Sequence, residues 1–255
     1  MDIDKESADL ALAAELQAAL LPKAPPTDFP NQAAAARNRM CGTVGGDFYD
    51  FIRINADQAA IVIGDVVGHG VRSSLVMAKI MGWLRSRPEN SCRPAQIITD
   101  LNRMLVELGD KTNSVMICSL FYAVLDMPSG IAFFVNAGHP KPFLCDGLLP
   151  GQPLPCATPL GARNMLLGVQ EFEPQEDCHT FTPGQRLVLY TDGITDAGNG
   201  TRGDYFGEKR LLATISETSR KPPQDCADAI FNAVSAFRNG AQQDDDETVV
   251  VIDRL

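Results

Sequence analysis

Four aspartates, each at the edge of an apolar run, constrain this chain more than anything else in it. Gly45-Gly46-Asp47-Phe48-Tyr49-Asp50 opens an extended segment. Asp47, Tyr49 and Phe51 share one face of it, and Phe48, Ile52 and Ile54 the other, because alternate side chains of a strand point the same way. Ala59-Ala60-Ile61-Val62-Ile63 reads as a buried strand that delivers Asp65 into a loop with glycines at 64, 68 and 70. Tyr190-Thr191-Asp192-Gly193 follows the apolar run from Arg186, and Asp244-Asp245-Asp246-Glu247-Thr248 precedes the run to Ile252. A single aspartate beside a glycine is ordinarily a turn residue. Four of them at strand ends, with no cysteine or histidine cluster, point instead to an all-oxygen site for a hard cation, Mg²⁺ or Mn²⁺.

The remaining chain fits one large domain. At 255 residues, 45% hydrophobic and 21% charged, it can bury a substantial core. Its net charge of −10, with no basic stripe, argues against nucleic acid as a partner. The cysteines at 41, 92, 118, 145, 156, 178 and 226 form no CxxC pair, so free thiols in a reducing cytoplasm are expected. No signal-peptide pattern opens the chain, and no apolar run approaches the roughly 20 residues that cross a bilayer.

Residues 5–21 read as a helix with Leu12, Leu16, Ala19 and Leu20 on one stripe, ended by Pro22, Pro25 and Pro26. Residues 1–30 are therefore expected to be an amphipathic helix and a Pro-rich linker, and residues 31–255 the main domain. The stripe docks either on its own domain or on a second copy, and a homodimer through this helix is expected. Ser73 and Ser74 offer N-caps for a helix to about Arg85, with Met77, Ile80, Met81 and Leu84 buried. A second helix starts near Pro94 and ends at Gly109. Val115–Asp126 and Ile131–Val135 form a hairpin across Pro128-Ser129-Gly130. Helices over about 208–218 and from Pro223 to Asn239, then a strand over 248–252, complete the reading. Residues 150–180, rich in Pro and Gly, resist assignment. Blocks of strands and helix pairs, without repeated βαβ units, favour an α+β layered fold.

The motifs VGGDFYDF, GDVVGHG, NAGHPKPFL, LVLYTDGITDA, FGEKRL and DDDETVVVI occur in an order that resembles the PPM (type 2C) metal-dependent protein serine/threonine phosphatases, in the bacterial SpoIIE/RsbU-like branch. The resemblance runs from about residue 10 to the C-terminus. It implies a four-layer αββα sandwich of two antiparallel sheets flanked by helix pairs, with two Mn²⁺ or Mg²⁺ ions at one edge. By motif position it implies Asp47 as ligand of the first ion and Asp65 as the carboxylate bridging both. The Val66 carbonyl would join the first ion, Asp192 the second, and Asp245 would be the ligand from the last motif. Asp244 and Asp246 stay open as alternatives to Asp245. It further implies hydrolysis of phosphoserine or phosphothreonine by a metal-bridging hydroxide. The usual substrate of that branch is a phosphorylated STAS-domain anti-anti-sigma protein in a partner-switching pathway. Two other functions are weighed beside this: a non-enzymatic phosphoprotein-binding module, against which the intact ligand set argues, and a hydrolase of small phosphate esters.

His69 stands four residues after Asp65, so no acid role is carried to it; it is expected to be structural within the Gly68–Gly70 turn. His139 is expected to be a hydrogen-bonded core residue. Asp196 occupies the position of the family's glutamate. Arg37 and Arg39, ahead of Asp47, are candidates for contacting substrate phosphate, with two solvated arginines as the plainer reading.

Overall fold

The computed structural model describes residues 2–22, 32–87, 93–146, 157–161 and 164–255, with side chains from residue 7 onward. Helix α1 (Asp2–Leu20) precedes β1 (Gln32–Arg39), β2 (Phe48–Arg53) and β3 (Gln58–Val66). Helices α2 (Val71–Arg85) and α3 (Pro94–Thr112) lead to β4 (Cys118–Asp126), β5 (Ile131–Ala137), β6 (Phe143–Cys145), β7 (Ala157–Pro159), β8 (Asp177–Thr180) and β9 (Arg186–Tyr190). The short α4 (Asp192–Thr195), then α5 (Gly207–Glu217), α6 (Pro223–Arg238) and β10 (Glu247–Arg254), close the chain.

The strands form two five-stranded sheets, ordered β2-β3-β4-β5-β8 and β1-β10-β9-β6-β7, with antiparallel neighbours throughout. Alternation along each strand divides the apolar side chains between layers. Ile61 and Ile63 of β3 meet Leu189 of β9 and Val250 of β10 between the sheets. Ala60 and Val62 of the same strand turn outward onto Met77, Ile80, Ile97 and Leu101 of α2 and α3. Val188, Val249 and Val251 of the other sheet pack on Leu211, Ile230, Phe231 and Val234 of α5 and α6. Both faces of each sheet are thus covered, which explains why β3 reads as an unbroken apolar run. The result is the expected α+β sandwich of four layers.

Tyr49 and Phe51 lie between the sheets, and Phe48, Ile52 and Ile54 on the helix side, as alternation requires. Other expectations are corrected. Ser73 and Ser74 do not cap α2. Gly70, at φ 81°, lets the helix start earlier, and the two hydroxyls donate back to the carbonyls of Gly70 (3.0 Å) and Val71 (2.9 Å). Gly109 does not end α3, which runs on to Thr112 and stops at Asn113 in the left-handed region, φ 49°. The α1 stripe divides: Leu20 packs on the core below α2, while Leu12 and Leu16 are 55% and 62% exposed. The linker's prolines 25, 26 and 30 lie outside the described residues, as do Cys92 and Cys156. The remaining cysteines are free thiols. Among the described residues no helix is long and apolar enough to cross a membrane.

Candidate active site

The four motif aspartates come together at one end of the sandwich, where the sheets open. Asp47 and Asp65 arrive from the β2–β3 side, and Asp192 and Asp245 from the ends of β9 and β10. Asp47 is only 1% exposed. Its Oδ2 accepts hydrogen bonds from the hydroxyls of Thr191 (2.7 Å) and Thr248 (2.6 Å), which follow β9 and lie in β10. One carboxylate oxygen therefore joins the two sheets across the gap. The Thr191 hydroxyl also accepts the Thr248 amide at 3.0 Å.

Gly46 brings the chain up against the β3 end. A Cβ there would collide with the Val66 carbonyl oxygen and lie 3.0 Å from Asp65 Oδ1, so carbonyl and carboxylate border one small cradle that any side chain would fill. Gly45 is held from the far side by Gln17 of α1. The Gln17 amide donates to the Gly45 carbonyl at 2.8 Å and accepts its N–H at 3.1 Å.

The three terminal aspartates separate. Asp246 is buried, and its carboxylate accepts the backbone N–H groups of Cys41 (2.7 Å), Gly46 (2.8 Å) and Asp47 (3.4 Å). It shapes the loop leading to Asp47. Asp244 and Asp245 are exposed. Only Asp245 has an oxygen tied to the loop itself, accepting the Asp246 amide at 2.8 Å.

Electrostatics couple the set. Burial, then the charges of Asp192, Asp245 and Asp246, push Asp65 up to about 7. Burial and Asp65 push Asp47 well above the usual carboxylate range, against the pull of its two hydroxyl donors. Asp192 and Asp245 are also raised, by burial first; for Asp192 the charge of Asp245 comes next. Carboxylates that raise one another in this way lack a compensating positive charge. The donors are all oxygens, the preference of Mg²⁺ and Mn²⁺, so their chemistry fits a hard divalent ion. Among the described residues no three His, Cys, Asp or Glu side chains form a preformed set able to hold an ion. Asp192 and Asp245 face solvent, so the cluster is electrostatically coupled without being closed around one point.

Arg37 and Arg39 are not in this site. Both lie on the helix side of β1, over the Phe231 ring of α6 at 4.6 and 5.3 Å. Arg37 pairs with Asp228 at 2.8 Å, and Arg39 with the buried Glu247, which Arg238 also engages. They are not simply solvated: their ion pairs and the Phe231 ring fasten α6. His69 is exposed and, with Asp244, Asp245 and Asp246, lines a groove of about 390 Å³ beside the cluster. His139 is buried as expected, its Nδ1 2.8 Å from Ser119 Oγ. Asp196 is exposed and adds to the negative field on Asp192 and Asp245. Sequence reasoning missed Gln17, Thr191 and the structural task of Asp246. Alternation could have found Thr191 and Thr248, two residues beyond Leu189 and Val250 toward and within the last strand ends.

Two antiparallel sheets with an acidic mouth between them match the fold of solved PP2C-type phosphatase domains. The SiaA-PP2C domain of Pseudomonas aeruginosa superposes with a TM-score of 0.81 at 23% identity, covering 100% of this chain and 99% of that one. RsbX in complex with magnesium shares the fold at a TM-score of 0.57 and 14% identity, covering 87% and 93%. Residues 55–255 match the family described as Stage II sporulation protein E (SpoIIE), and the chain belongs to that family of PP2C-type phosphatase domains. The "Phosphoserine phosphatase RsbU" of Bacillus subtilis is 26% identical over 212 residues, 83% of this chain and 60% of that protein. The chain spans about a third to three fifths of the length of the curated relatives it matches.

Proposed function

We propose that this chain hydrolyses phosphoserine or phosphothreonine on a protein, and that the substrate is a STAS-domain anti-anti-sigma type protein in a partner-switching pathway. The observation that carries the reading is the meeting of Asp47, Asp65, Asp192 and Asp245 from both sheets at one open end, each carboxyl raised by burial and by its neighbours. Asp47, Asp65, Asp192, Asp245 and the Val66 carbonyl would hold two Mg²⁺ or Mn²⁺ ions there. Such a pair supplies a water acidic enough to act as nucleophile near neutral pH and neutralises charge on the phosphoryl oxygens.

The protein's own part is placement. The Thr191 and Thr248 hydroxyls fix one oxygen of Asp47, and Gly46 keeps the Val66 carbonyl uncovered beside Asp65. Burial and the neighbouring Asp65 and Asp47 charges push the thiol of Cys118, the cysteine beside the cluster, well up, away from the thiolate a nucleophile requires. The open mouth suits a phosphorylated side chain presented on a protein surface. The exposed Leu12 and Leu16 of α1 support a homodimer through that helix.

The test compares phosphate release from a phosphorylated STAS protein with release from p-nitrophenyl phosphate, each with Mn²⁺. The expected kcat/KM favours the protein by orders of magnitude. Equal or reversed preference points to small esters, and tight binding of the phosphoprotein without turnover points to a binding module.

A further inference from the structure

The Asn136-Ala137-Gly138-His139 segment contributes no carboxylate, yet it ends beside the acidic cluster. β5 finishes at Ala137, and Gly138 turns the chain at φ 68°, where a Cβ would also press into the Leu166 side chain. Asn136 Oδ1 accepts the backbone N–H of His139 at 2.8 Å and fixes that turn. The His139 ring is 5% exposed, with Nδ1 2.8 Å from Ser119 Oγ. Ser119 is the cross-strand partner of Asp65 in the β3–β4 register. Both side chains project from the face between the sheets, because Ile63 and Phe121, two residues away on either strand, lie there.

The other edge of the ring looks to the opposite sheet. The His139 ring lies against the main chain of Tyr190, and among the described residues its Nε2 has no hydrogen-bond partner. Tyr190 ends β9, two residues before Asp192. The imidazole therefore spans from the strand pair presenting Asp65 to the strand end presenting Asp192. Burial holds its pKa down to about 3, so the ring is neutral and acts through hydrogen bonds rather than charge. With the proton on Nε2, Nδ1 accepts from the Ser119 hydroxyl. In that tautomer the serine's one hydroxyl proton goes to the ring and not to Asp65.

We propose that His139 and Ser119 form a positioning strut between the sheets, holding Asp65 and Asp192 at the separation that sets the site's affinity for divalent ions. The inference rests on the metal reading above. Groups hydrogen-bonded directly to metal ligands change metal affinity by about 10–100-fold when removed, and this strut, one residue further back, is expected to act at the low end of that range.

The test is calorimetric titration of the full chain with Mn²⁺, alongside the Tm of the ion-free protein, for the parent, Ser119→Ala, Ser119→Thr and His139→Asn. Ser119→Ala is expected to weaken Mn²⁺ binding by about tenfold. Ser119→Thr, which keeps the hydroxyl, should stay close to the parent, and His139→Asn, which keeps an acceptor near the place of Nδ1 but lacks the ring edge that faces β9, should weaken binding as Ser119→Ala does. Unchanged Mn²⁺ affinity in Ser119→Ala, even with a lower Tm, would overturn the strut alone, as would equal weakening in Ser119→Ala and Ser119→Thr. A parent chain that binds no Mn²⁺ would overturn the metal reading and the strut with it.

Discussion

Three consecutive aspartates, Asp244, Asp245 and Asp246, stand in three different environments, and their substitutions should separate accordingly. Asp246 satisfies three backbone amides of the loop before β2. Asp246→Ala leaves buried donors unpaired, at a cost of about 1–3 kcal/mol for each one left unsatisfied. A fall in ion-free Tm together with a loss of turnover is therefore expected. Asp245→Ala removes a carboxylate that burdens Asp65 and Asp192, so the ion-free Tm should hold or rise while Mn²⁺-dependent phosphate release collapses. Asp244→Ala should stay close to the parent in both. Thermal melts and phosphate release on the three variants check the order, and an Asp244→Ala loss larger than that of Asp245→Ala would move the ligand. The motif spacing to Thr248 already favoured Asp245 but could not exclude its neighbours, because adjacent residues of an irregular loop have no fixed alternation. The burial of Asp246 depends on amides two hundred positions away, which no local pattern records.

At the scale of elements, α1 is the piece whose role depends most on packing. Its Gln17 reaches the loop that carries Asp47, so Gln17→Ala leaves the Gly45 N–H and carbonyl unpaired. A destabilisation of about 1–3 kcal/mol and reduced turnover are expected, measured by chemical denaturation and phosphate release. The outward Leu12 and Leu16 give a second expectation: Leu12→Glu with Leu16→Glu should shift a dimer to monomer in light scattering without lowering the monomer's Tm. A monomeric parent at tens of micromolar would remove the dimer role. Helices with strong apolar periodicity, α2, α3 and α6, were legible because burial on one face imposes the 3.6-residue repeat. β1 was not. Its run of alanines favours a helix intrinsically, yet Ala34 and Ala36 fit the narrow space between the sheets while Arg37 and Arg39 lie over α6. The short β7 and β8 carry too few residues to show any period.

For the whole molecule, the acidic mouth links stability to pH and to divalent ions. A carboxyl raised in the folded state, as Asp65 is to about 7, binds its proton there before the unfolded chain does. The ion-free protein should therefore gain stability as pH falls from about 8 toward 6.5, with Asp47, Asp192 and Asp245 acting in the same direction. His139, lowered from 6.5 to about 3, opposes this only below about 6.5, where the unfolded chain takes up a proton that the folded ring refuses. Divalent ions favour the ionised carboxylates, so added Mn²⁺ should raise Tm more at about pH 8 than at about pH 6. Scanning calorimetry with and without chelator checks both signs.

The central claim, that the carboxylates from both sheets hold divalent ions for phosphoester hydrolysis, is tested most directly at Asp65. Phosphate release from a phosphorylated STAS protein would be followed as Mn²⁺ or Mg²⁺ is added to chelated parent and to Asp65→Asn. The account predicts no release without ion, saturable release by the parent, and a loss of at least about a hundredfold in Asp65→Asn, the order by which removing a transition-state interaction of about 2.7 kcal/mol slows a reaction. Ion-independent release by the parent, or parent-level turnover by Asp65→Asn, would contradict it.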